Sequence, residues 1–82
     1  MKSDKIINAL KANKIEFEYY PEDSLTDEGI SFVVKEKEFD FQFAQDGDII
    51  LGQWDEQEET HTTIDVMRSI PKALFHISKL IS

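Results

Sequence analysis

An α+β fold is predicted for this chain: a four-stranded antiparallel meander with an N-terminal and a C-terminal helix packed on one face, in the order α-β-β-β-β-α. Three observations predict it. Apolar residues recur at helical spacing near both ends, as Ile6, Ile7 and Leu10 and again as Leu74, Ile77 and Ile81. Between them lie short segments of two-residue alternation, clearest where Phe39, Phe41 and Phe43 alternate with Asp40 and Gln42. Short turns join these segments, and consecutive strands joined by short turns pair antiparallel. The 82 residues read as a single domain, 1–82, with no linker and no repeat.

Residues 3–13 form the first helix. Ser3 is the candidate N-cap, with Asp4 near the positive end of the helix dipole and Lys11 and Lys14 at the negative end. Asn13 is the residue expected to turn left-handed and stop it. In 15–20, "IEFEYY", Ile15, Phe17 and Tyr19 share one face and Glu16, Glu18 and Tyr20 the other, the pattern of a half-buried strand. Pro21 ends it. A long acidic connection follows, in which Ser24 and Asp27 are placed to frame one capped helical turn.

Residues 30–37 and 38–44 make the second and third strands, joined by a tight charged turn near Lys35 to Glu38. Asp46-Gly47 marks the next hairpin turn, because glycine supplies the positive φ such turns require. "IILGQW" is the fourth strand, and its parity is open: Ile49 and Leu51 inward with Trp54 outward, or the reverse. From Thr62, Ile64, Met67, Leu74, Ile77 and Ile81 fit one long helix with a kink at Pro71, which removes a backbone donor and crowds the Met67 carbonyl. The alternative has Ser69 capping a separate helix with Pro71 in its first turn, and 60–66 as a short helix or a fifth strand.

Charge narrows the function classes. Seventeen acids against nine bases give a net charge of −8. Phosphate backbones and anionic lipid headgroups repel such a surface, so no direct nucleic-acid binding and no membrane partner is expected. A 40% hydrophobic composition with nine aromatics argues against disorder. The absence of cysteine removes disulfides and thiolate chemistry and fits a reducing compartment. The N-terminal stretch intersperses charges among its apolar residues, unlike a signal peptide, and no apolar run approaches ~18 residues. The expectation is a cytoplasmic protein.

The charge is also segregated. Residues 1–14 carry four lysines and one aspartate, a net +3, and residues 66–82 carry Arg68, Lys72 and Lys79, also +3. Residues 15–65 carry sixteen acids and two lysines, a net −14. Strand parity sets Glu16, Glu18, Asp40 and Tyr20 opposite the phenylalanines, on the face the helices leave open. After the fourth strand, Trp54 is followed by Asp55, Glu56, Glu58 and Glu59, an acidic loop leading toward the last helix. A solvated acidic face keeps a small protein soluble without any partner. Segregation on this scale adds self-repulsion that solubility does not require.

Chemistry of other kinds finds little footing. Glu58, Glu59 and His61 offer metal ligands, but there is no second nearby histidine and no zinc spacing. Residues 46–57 open like a calcium loop and then place Ile50 at a ligand position. His61 and His76 are isolated, Ser24, Ser31, Ser69 and Ser78 lie in no nucleophile elbow, and the three glycines form no phosphate loop. No catalytic residue, metal or cofactor is therefore assigned.

What remains is a non-enzymatic small acidic binding protein. In size and charge it resembles, in kind only, the bacterial or phage inhibitors that act as nucleic-acid mimics or neutralise toxins. Its expected partner is a basic protein surface, such as the groove of a nucleic-acid-binding enzyme. Glu16, Glu18, Tyr20, Asp40, Trp54, Asp55, Glu56, Glu58 and Glu59 are the candidate contact residues. The alternative is an accessory or chaperone-like subunit that dimerises or holds a client through apolar helix faces or a sheet edge. Monomer and homodimer both remain open.

Overall fold

The structure is a computed structural model and describes residues 2–82. Its elements are α1 (Lys2–Ala12), β1 (Phe17–Tyr20), β2 (Glu28–Val34), β3 (Lys37–Phe43), β4 (Ile49–Asp55), β5 (Thr60–Met67) and α2 (Ile70–Ile81). The strands pair antiparallel in chain order. The α+β class, the antiparallel sheet and the terminal helices are as expected; the sheet has five strands, not four.

The fifth strand comes from the segment read as the first half of a kinked helix. That helix does not form. Ser69, in extended backbone, caps α2 by accepting from the Lys72 N–H, and Pro71 sits in the first turn, where its missing donor costs nothing. Residues 60–67 lie along β4 instead. Their alternation is broken by a bulge: Asp65 pairs with Leu51 but Thr63 pairs with Gly52, leaving Ile64 as the extra residue. Ile64 therefore points away from the core and is exposed, while Met67 is buried.

The core lies between the sheet and the two helices. Ile6 and Leu10 of α1 and Ala73 and Ile77 of α2 meet Ile30, Phe32, Phe39, Phe41, Ile49 and Leu51 in one buried cluster. Both helices therefore cover the same sheet face. Phe32 stacks on Phe39 and Phe41, with centroids 5.6 and 5.4 Å apart and ring planes within 25°. Such offset stacking adds to what burial of the rings contributes.

Several local expectations are corrected. Ser3 does not cap α1. It is buried inside the first turn, and its hydroxyl donates to Glu28 at 2.9 Å; the Tyr19 phenol donates to the same oxygen. Asn13 is not the left-handed residue; Lys14 is, at φ 56°. Ile15 N–H reaches the Leu10 carbonyl and Lys14 N–H the Lys11 carbonyl, so the helix ends in a Schellman motif with Ile15 folded back on the core. Asn13 contributes by donating its side-chain amide to the Ala9 carbonyl. In the 21–27 loop, Asp23 rather than Ser24 and Asp27 organises the turn. One of its oxygens accepts from the Leu25 and Thr26 N–H groups and from the Thr26 hydroxyl, which holds the carboxyl below its ordinary pKa.

Three side-chain contacts fix α2 and the flanking loops. His76 lies 2.9 Å from Asp65 of β5 through Nε2, and Lys72 lies 3.4 Å from the same oxygen. Arg68 donates to Asp48 at 2.7 Å. The His76 bond, then Lys72, lower the Asp65 pKa. A carboxylate depressed in the folded state contributes stability above its unfolded pKa, near 3.9, and loses it as pH falls through the lower folded value. The acid limb of a thermal-melt profile below about pH 4 should therefore be shallower in Asp65→Asn than in the parent chain.

The β2–β3 turn carries avoidable strain. Lys35 and Glu36 both have positive φ, 52° and 67°, the geometry of a two-residue turn that favours Asn-Gly. Lys35 also reaches the Ser82 backbone carbonyl, so the replaceable residue is Glu36. Glu36→Gly should stabilise the domain by about 0.5–1 kcal/mol and raise its melting midpoint by a few degrees in calorimetry.

Candidate binding face

Antiparallel register fixes which side chains share the face away from the helices. Three rows cross it. Val33 accompanies Glu38, Trp54 and His61, with Glu16 alongside through the Val33 N–H to Glu16 carbonyl bond. The next row runs Glu18, Ser31, Asp40, Gly52, Thr63. The third runs Tyr20, Gly29, Gln42, Ile50, Val66.

Parity is set by the fully buried Ile49 and Leu51, which turn Trp54 outward at 37% exposure. Tyr20 is also exposed. Glu16, Glu18, Tyr20, Asp40 and Trp54 thus meet around one open depression of about 720 Å³, joined there by Ser31, Val33 and Glu38. A second hollow of about 330 Å³ continues from it past Tyr20, Gly29, Ser31 and Gln42 to Thr26 and Asp27.

The remaining candidates are elsewhere. Asp55, Glu56, Glu58 and Glu59 do not lead into the last helix; they form the tip of the β4–β5 hairpin. Asp55 folds that tip by accepting from the N–H groups of Gln57 and Glu58 at 2.9 and 3.2 Å, and Glu59 takes φ 53° to close it. The tip acids do not line the depression. Among the described residues no three His, Asp or Glu side chains converge as a metal-ligand group.

Two residues on the face were missed from sequence. Glu38, read as the first residue of the third strand beside its turn, was not counted with the face, although it stands two positions before Asp40 and shares its parity. His61 was invisible without the fifth strand. From β5 its Nε2 reaches Asp40 on β3, 2.9 Å away, crossing the intervening β4 over Gly52. A Cβ at Gly52 would lie 2.8 Å from an Asp40 oxygen and closer still to the His61 ring. Glycine here is the floor that lets the histidine pass.

Hydrogen bonding on the face is uneven. The Tyr20 phenol donates to Glu18 at 2.6 Å, and that carboxylate raises the phenol's pKa while the Ser31 hydroxyl opposes the shift. Gln42 donates to Asp27 at 3.1 Å. Among the described residues the Glu16 and Glu38 carboxylates have no hydrogen-bond or ion-pair partner. The arrangement presents carboxylates at fixed strand spacings with aromatic side chains among them, which suits cationic groups.

The Gly52 floor gives a coupling test. Gly52→Ala should destabilise by about 1–3 kcal/mol in denaturant unfolding, because the His61 ring must leave. In a His61→Ala background the same change should cost less than half as much; additive costs would show that His61 does not occupy that space.

No family model, curated protein sequence or solved structure matches this chain.

Proposed function

We propose that the chain is a non-enzymatic binding protein that engages a basic protein surface through its open acidic sheet face, with the β4–β5 hairpin tip as a second anionic contact. The observation that carries this reading is the register. Glu16, Glu18, Glu38 and Asp40 all fall on the face away from the helices, around a depression with Tyr20 and Trp54. Carboxylates at strand spacing occupy positions that phosphates would take on a basic groove, so a nucleic-acid-binding enzyme is the partner class that fits best. Electrostatic attraction speeds the encounter, and the two aromatics provide the buried area that holds it.

A second reading rests on β5. This strand ends the sheet with one side unpaired, runs eight residues, and its one charged residue, Asp65, is engaged with α2. The opposite edge, β1, has four residues, carries Glu18 and is followed by Pro21. An unblocked edge accepts another strand, as in an accessory subunit that pairs with itself or a client. The bulge at Ile64 works against long pairing there.

Salt dependence separates the two. With a partner recovered from host lysate, Glu16→Lys with Glu18→Lys should slow association by about tenfold or more at low salt. Glu56→Lys with Glu58→Lys should slow it less. Rates should converge above about 0.5 M salt, where screening removes the steering. A rate indifferent to both reversals and to salt overturns the acidic-face reading and favours the strand edge.

A further inference from the structure

We propose that the acidic face binds an extended peptide segment carrying arginine or lysine at alternate positions, laid along β2; this rests on the binding reading above and narrows it to a geometry. The two hollows on the open face run end to end over β2. The floor is low because β2 offers Val33, Ser31 and Gly29 there, while its neighbours raise longer side chains on both sides.

Register makes the walls face each other in matched pairs. At the Val33 level Glu16 stands opposite Glu38. At the Ser31 level Glu18 stands opposite Asp40. Neighbouring strands lie about 4.8 Å apart, so each pair is separated by about 10 Å across β2, and the two pairs follow each other at about 6.7 Å along it. Strand spacing sets the backbone positions of each pair about 5 Å to either side of the trough axis, the Asp40 carboxylate leaning outward over Gly52 to His61. The carboxylates of Glu16 and Glu38, the outer pair, have no partner of their own among the described residues.

An extended chain projects side chains to one side every second residue, at this same spacing of about 6.7 Å. A helix with its side chains is about 10–12 Å across and does not fit between walls about 10 Å apart. Charge selects the rest. Among the described residues five acids line the trough, Glu16, Glu18, Glu38, Asp40 and, at its far end, Asp27, and the one base, His61, is already engaged with Asp40. Trp54 beside Glu38 and Tyr20 beside Glu18 flank the pairs, placed to stack on guanidinium groups.

Trp54 is the chain's one tryptophan and lines the trough, so its fluorescence reports occupancy. The probes are two octapeptides of identical composition, one alternating arginine and serine, the other arranging them in arginine pairs and serine pairs. The second never places arginines two apart. We expect the alternating peptide to bind about tenfold more tightly at low salt. Glu16→Gln with Glu38→Gln should abolish that preference, whereas Glu56→Gln with Glu58→Gln should weaken both peptides alike and preserve the ratio. Equal affinity of the two peptides, with salt-sensitive binding of both, overturns the trough while leaving the acidic-face reading intact. Spermidine binding as tightly as the alternating peptide overturns the peptide assignment in favour of a small linear polycation. Absence of salt-sensitive binding by either peptide overturns both the trough and the broader reading.

Discussion

Strand register is the constraint on which everything else in this molecule depends. In β2 and β3 phenylalanine and isoleucine alternate with serine, aspartate and glutamine, and the stacked Phe32, Phe39 and Phe41 pin the pairing. A slip of one residue would turn those rings to solvent and drive Asp40 and Glu38 into the core. Neither is tolerable in a domain of this size, whose net stability is a few kcal/mol. The same alternation that secures the core therefore fixes the acidic face, and the positions of its carboxylates are as well determined as those of the phenylalanines.

The charge layout follows from this layering. The helices carry most of the basic residues but lie on the far side of the core from Glu16, Glu18, Glu38 and Asp40. Sheet and helix layers are separated by about 10 Å, comparable to the screening length at physiological salt, so the basic layer offers the open face little compensation. Basic residues that do find acids find them elsewhere: Arg68 at Asp48, Lys72 at Asp65. On the open face His61 engages Asp40, and the rest of the field is directed outward.

Much of this was legible in the sequence, and the errors share a cause. Local periodicity placed α1, the first four strands and the helical 70–81 stretch, and parity placed Glu16, Glu18, Tyr20 and Asp40 on one face. β5 was misread because a bulge hides strand alternation: with Ile64 inserted, Ile64 and Met67 fall three apart and continue into the helical spacing of α2. Threonine at 60, 62 and 63 favours a strand, a signal that the helical spacing masks. Ser3 was misplaced for a similar reason. A serine beside an acid at a helix start reads as a cap, but its partner, Glu28, is twenty-five residues away and no local pattern points to it. His61 and Gly52 form one feature that exists only once β4 and β5 pair.

That feature also bears on the trough. The open face has two low places, one over β2 at Gly29 and Ser31, the other over β4 at Gly52. The second is filled from within: the His61 ring crosses it and bonds Asp40. Gly29 has a packing reason of its own, since a Cβ there would lie 3.3 Å from the Phe41 carbonyl, but Ser31 and Val33 have none and still leave the groove open. Its walls are like-charged and cannot close on each other. The histidine that plugs one notch satisfies Asp40 and the Tyr20 phenol satisfies Glu18, which leaves the outer pair, Glu16 and Glu38, to be neutralised from outside. Solvent and counterions can do that diffusely, but matched pairs at strand spacing are an arrangement that an extended basic segment satisfies point for point.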